Sequence, residues 1–157
     1  MKIEPSRNKE FRLQDADTIC RYIHSNNGVL TLTDPSETIS HSYLFKIPKS
    51  GFPSDVCFAY CVHEDKLFYL GMAEMGKFRL TKNSRFDKDT EIVKGAAYIV
   101  KMAYNDNLAK MSPMILTHSG RCAKCGRKLT SEFGIKHGFG GKCIDRVVTG
   151  QKPISLN

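Results

Sequence analysis

The sequence predicts an α+β protein: an antiparallel sheet of about five strands with two helices, followed by a small C-terminal module rich in cysteine and glycine. Three observations lead there. Two segments carry apolar residues at helical spacing. Between them the period shifts to two, in short runs separated by turn residues. Behind them Cys122, Cys125 and Cys143 stand among glycines in CAKCGRKLTSEFGIKHGFGGKC.

The elements follow in chain order. Residues 1–12 read as an irregular lead-in. Asp15 is placed to cap a helix over 15–26, with Ala16, Ile19, Cys20 and Ile23 on one side. Asn27-Gly28 supplies its stop. VLTLT (29–33) alternates, and DPSE (34–37) turns the chain. Ile39, His41, Tyr43, Phe45 and Ile47 share one face of the next strand. Pro48 to Pro53 interrupts the pattern, Val56 to His63 resumes it, and LFYLGMAE (67–74) answers across a polar turn. GKFRLT (76–81) predicts one more strand. Thr90 to Asn105 returns to helical spacing, with Ile92, Ala96, Ile99, Val100 and Ala103 as its buried stripe. MILT (114–117) is a candidate short strand. The organisation expected is an α+β body over 1–117 and a module over 118–157 packed against it.

The chain has 157 residues, 41% of them hydrophobic and 25% charged, a globular composition. No apolar run approaches the roughly 20 residues that span a bilayer. MKIEPSRNKEF lacks the apolar segment of a secretory signal, so a cytoplasmic protein without membrane partners is expected. In a reducing compartment, six cysteines favour metal ligation over disulfides. The formal net charge is +8 and uneven: residues 118–157 hold eight Lys/Arg against two Asp/Glu. A basic surface of this kind favours polyanions through counterion release.

Two thiolates separated by two residues can converge on one ion, and Gly126 follows where a left-handed backbone turns amides toward sulfur. Cys143 returns behind GFGG and begins IDRVVTG, read as a helix whose first turn carries a ligand. Knuckle, hairpin and ligand-bearing helix outline a treble clef around zinc. That arrangement would place a fourth ligand three residues before the last, where this chain has Gly140. His137 is the preferred fourth ligand and His118 the alternative, with Asp145, Glu132 or solvent behind them. Three thiolates and an imidazole leave no open position, so one structural Zn(2+) is expected. It would supply folding free energy on the order of 10 kcal/mol to a segment too small for its own core.

GRCAKCGRKLT followed by GIKHGFGGKC resembles a domain of unknown function found in small phage and prophage proteins, of the form GRCxxCGRxLT…GxGPxC. The resemblance implies Cys122, Cys125 and Cys143 as metal ligands, and Gly138 and Gly140 match the two glycines of the family turn. The chain departs at Glu132, Gly134 and Gly141, where the family tends to have Pro, Ser and Pro. Upstream, Gly28–Thr33, Tyr43–Ile47, Leu70–Met72 and Phe78–Arg85 fit the family more loosely. The likeness spans residues 28 to 148 and implies a phage or mobile-element origin, hence host cytoplasm, without implying a biochemical activity.

Other residues are weighed and set aside. Cys57 and Cys61 share a strand face about 13 Å apart, the reading of core cysteines. His24 and His41 are isolated. GxxxxGK[ST], HExxH, GxSxG and a nuclease-type histidine pair are absent, so no catalytic residue is assigned. Tyr22, Tyr43, Phe45, Phe58, Tyr60, Phe68, Tyr69 and Phe78 spread aromatics through the sheet. Phe78-Arg79 and Tyr43…Lys46 interleave ring and charge as a base-stacking surface would, although packing is the commoner use. The expected function is a non-enzymatic accessory protein holding DNA or RNA backbone through Arg121, Lys124, Arg127, Lys128, Lys136, Lys142 and Arg146. The alternative is a module that engages a host protein.

Overall fold

The computed structural model describes residues 3–49, 55–104 and 113–144. Within them six strands form a single sheet: β1 (Val29–Thr33), β2 (Ser40–Lys46), β3 (Val56–His63), β4 (Lys66–Glu74), β5 (Lys77–Arg79) and β6 (Ile115–His118). Its order is β5-β4-β3-β2-β1-β6, and every neighbouring pair is antiparallel. The expected five strands are a meander, each pairing with the next. The sixth returns from the far end of the chain to close against β1, with Leu30 opposite His118 and Leu32 opposite Leu116.

α1 (Ala16–Ile23) begins where expected, with the Asp15 carboxylate accepting from Asp17 N–H. It stops before 26 because Asn26 adopts φ 82° and ends helical geometry. α2 (Glu91–Ala103) is capped by Thr90, whose hydroxyl accepts from Val93 N–H. Both helices lie on one face of the sheet. Ile19, Cys20 and Ile23 of α1, and Ala96, Ile99 and Val100 of α2, join Leu30, Leu32, Tyr43, Phe45, Cys57, Ala59 and Cys61 in one apolar cluster. Tyr43, fully buried, donates its hydroxyl to Ile92 O at 2.7 Å and ties β2 to the first turn of α2.

The strand period assigns the opposite side chains to a second face that neither helix covers. A bulge at Ala59/Tyr60 shifts the β3–β4 register, so Tyr60 lies opposite Tyr69. Two cross-strand rows result on this face: Val29, Leu44, Tyr60 and Tyr69, and beside it Lys46, Phe58, Met72 and Arg79. The N-terminal segment crosses part of it. Ser6 O accepts from the Thr117 hydroxyl, and Ile3 N–H reaches the Asp65 carboxylate.

The cysteine-containing segment packs on the body. Cys122, Ala123, Leu129, Phe139 and Ile144 belong to the same cluster as Tyr22 and Leu30. Asn27 stitches the α1–β1 turn to the segment, its N–H to Ala123 O at 3.0 Å and its side-chain amide to Lys124 O at 2.8 Å. A helix not expected from the sequence, α3 (Glu132–His137), fills the interval between the second and third cysteines. Ser131 caps its start by accepting from Gly134 N–H, and Gly138 ends it at φ 76°.

Candidate metal centre

Cys122, Cys125 and Cys143 come together, with their sulfurs all within 4.8 Å of one another. Tetrahedral zinc–thiolate bonds of about 2.3 Å put sulfurs about 3.8 Å apart, so the cluster closes on an ion with little movement. The knuckle forms by backbone geometry. Cys122 N–H donates to Arg127 O at 2.8 Å, and Gly126 N–H returns to Cys122 O at 2.9 Å. Gly126 takes φ 80°, while a Cβ there would meet nothing within 4 Å. It is therefore the backbone angle, not crowding, that calls for glycine. Arg121 and Lys128 pair as the base of this small hairpin. Cys143 arrives through a turn, its N–H on Gly140 O at 3.0 Å.

The electrostatics suit metal ligation. Burial alone would raise the Cys122 pKa. The backbone amides of Cys125, Gly140 and Lys124 and the Cys125 thiol outweigh it, holding Cys122 below an ordinary thiol. Gly140, which has no side chain to offer, thus contributes its N–H to a sulfur. Cys143 moves the other way, raised by desolvation and by its two thiol neighbours. One proton leaves readily, and the negative charge it leaves makes the next harder to remove. A cation resolves that conflict, because it stabilises all three thiolates together. Cys122 is buried, Cys143 half-buried and Cys125 exposed.

The histidines expected as fourth ligand do not join the sulfurs. His118 is fully buried and both of its ring nitrogens are engaged: Nδ1 accepts from Gly120 N–H at 2.9 Å, and Nε2 bonds Ile135 O. Its ring stacks on Phe11 at 4.8 Å. Burial lowers its pKa, which keeps it neutral as this pattern needs. His118 therefore fastens β6 to α3. His137 lies at the end of α3 against Phe133, ring centroids 4.4 Å apart, with Nδ1 facing the Thr18 hydroxyl at 3.3 Å. α3 turns it toward α1 and away from the thiols. Asp145, Arg146 and the helix expected after Cys143 lie outside the described residues.

The basic residues singled out from the sequence share the segment that carries the three cysteines, with Arg146 outside the described residues. Arg121, Arg127, Lys128, Lys136 and Lys142 are exposed, and Lys124 is half-buried. Arg121 donates to Gly126 O at 3.2 Å, which holds its guanidinium beside the knuckle. The ring–charge pairs read from the sequence fare differently. Tyr43 is buried under α2, and Phe78 turns to the helix side of the sheet, where Gly71 receives it. Phe58, Tyr60 and Tyr69, half-buried as Phe68 and Phe78 are, lie on the face opposite α1 and α2. Sequence reading missed this grouping, because the β4 bulge that aligns Tyr69 with Tyr60 leaves no mark in the alternation.

Cys57 and Cys61 face the core, and burial raises both thiols, as it raises Cys20. His24 is buried and satisfied, its Nδ1 on Cys20 O at 2.7 Å. Among the described residues, no helix is long and apolar enough to cross a membrane. No family model, curated protein or solved structure matches the chain.

Proposed function

We propose that the chain is a non-enzymatic nucleic-acid-binding accessory protein of a phage or mobile element, working in the host cytoplasm, with one structural Zn(2+) held by Cys122, Cys125 and Cys143 in a treble-clef-like module. The observation that carries this reading is that Arg121, Arg127, Lys128, Lys136 and Lys142 are all exposed in the segment that bears the three clustered cysteines. Metal there is structural in role: it holds the loop on which these charges stand. With neither histidine among the clustered ligand atoms, Asp145, Glu132 or a water are the candidates for the fourth donor. Phosphates, not base edges, are what such a scatter of charges recognises.

Metal analysis of protein purified without added metal tests the site, and should find one zinc per chain, lost in Cys125→Ala. Binding of labelled DNA and RNA across a salt series tests the function. Affinity should fall steeply with salt, with a slope of about −0.9 per phosphate contact on duplex DNA. Arg127→Ala and Lys128→Ala together should make the slope shallower. Absence of binding to any nucleic acid at low salt would remove this reading, and a stoichiometric protein captured from nuclease-treated host lysate would replace it.

A further inference from the structure

Cys61 and His63 stand out in VCFAYCVH as metal-ligating residue types that the cysteine module does not use. The fold brings them a third. Tyr43 lies opposite Cys61 and Ser42 opposite Val62, so the same register sets His41 of β2 beside His63 of β3. Side chains two residues apart on a strand share a face. His41, Cys61 and His63 are therefore neighbours on the helix side of the sheet, beside the first turn of α2. Residues directly opposite in an antiparallel pair hold their Cβ atoms about 5 Å apart, and diagonal neighbours about 7 Å. All three line one pocket of about 350 Å³, with Phe68, Phe86 and Ile92 on its other walls.

We infer that His41, Cys61 and His63 form a second metal site, for a borderline-soft cation such as Zn(2+), built from residues outside the cysteine cluster. The inference does not depend on the nucleic-acid reading above. The donor set is two imidazoles and a thiol, and no carboxylate lines the pocket. That chemistry selects zinc and its neighbours over magnesium or calcium. The Nε2 atom of His41 is shielded from water and has no hydrogen-bond partner. His118 and His24 differ in this respect, because backbone groups occupy their ring nitrogens. A ring nitrogen left unpaired beside a pocket is a ready ligand, since buried polar atoms are otherwise nearly always bonded. Cys61 is a free thiol on the same wall. The donors are close but not converged: among the described residues, the cysteine trio is the group whose three ligand atoms already lie within 4.8 Å of one another. Closure here requires His63 to turn its ring inward. That side chain is 74% exposed, and its contact, the Glu64 carboxylate at 3.8 Å, is exposed as well, so little holds it back. Water completes the coordination sphere on the open side.

The test is metal stoichiometry on the full chain, first as purified and then after equilibration with added Zn(2+). One equivalent, held by the cysteine cluster, should rise to two. His63→Ala, at an exposed position outside the core, should lose the added equivalent and keep the first. His41→Ala should do the same. Cys125→Ala should lose the first equivalent and keep the added one, which separates failure of the cysteine module from failure of this site. Cobalt(II) added to the zinc-loaded chain should bring thiolate-to-metal absorption in the near ultraviolet, and Cys61→Ser should remove it. A chain that takes up no second equivalent would overturn the inference. So would a second equivalent that survives both histidine changes, or one that gives no thiolate absorption with cobalt.

Discussion

Cys122 and Cys143 differ in how they hold a proton, although they share one cluster. Burial opposes charge on Cys122, but the amides of Cys125, Gly140 and Lys124 favour its thiolate and prevail. A thiol whose charged form is favoured ionises earlier as pH rises. In reduced, metal-free protein, thiolate absorbance near 240 nm should therefore show a first step below the ordinary thiol value of 9.0. Cys143, raised by burial and its thiol neighbours, should follow only above that value. Cys20, Cys57 and Cys61 are raised by burial and stay out of the early step. Cys122→Ala should abolish that step, and a single transition centred on the ordinary value in the unaltered protein would contradict the geometry. His118 teaches a related lesson. Its position four residues before Cys122 reads as ligation, yet two backbone groups use both ring nitrogens. Spacing reports proximity along the chain, while hydrogen-bond competition decides what a histidine does.

α2 shows how packing overrides propensity. Gly95 sits inside this helix, where alanine would be the better helix former by about 1 kcal/mol. A Cβ at that position would stand 2.1 Å from the Tyr43 hydroxyl oxygen and 3.1 Å from its ring carbon Cζ. The Tyr43 hydroxyl is also the donor to Ile92 O, so the helix cannot shift without loosening the bond. Overpacking costs about 1–3 kcal/mol and the strained hydrogen bond about 1 more. Gly95→Ala should therefore destabilise by about 1–3 kcal/mol net, seen as a lower midpoint in urea unfolding. A rise in stability would mean that propensity wins and that the contact is slack. α3 is the converse case. Gly134 and the run of glycines after it lower its helical signal, but Ser131 at its start and Gly138 at its end supply both caps.

One core joins the meander, the two longer helices and the cysteine segment. Leu129, Phe139 and Ile144 pack in the cluster that holds Tyr22, Leu30 and Ile99. Gly138 lies so close to Tyr22 that a Cβ would stand 2.5 Å from the ring, and its φ of 76° adds strain for any other residue. The segment's loop is thus part of the wall around α1. Chelation should lower the melting temperature of the whole chain in one cooperative transition, because ions that bind only the folded state add their binding free energy to its stability. Circular dichroism at a helix band and tyrosine absorbance should report the same midpoint shift. A main transition that does not move when metal is removed would show that the cysteine segment melts apart from the sheet.

Local pattern determined a good part of this protein. The alternation in VLTLT and VCFAYCVH places β1 and β3 at their observed bounds, since strands buried against a core repeat every two residues. Asp15 and Thr90 mark helix starts because each side chain satisfies an amide that would otherwise lack a partner. CAKCG closes its knuckle within six residues, so the spacing alone implies converging thiols and a left-handed Gly126. Long-range pairing decided the rest. β6 joins β1 across more than eighty residues of chain, and that return sets His118 under Phe11 and Tyr22. A one-residue bulge in β4 turns Tyr69 toward Tyr60, and the helices choose which face of the sheet they cover. Periodicity says that a strand has a buried side; only contact between distant segments says which neighbour buries it.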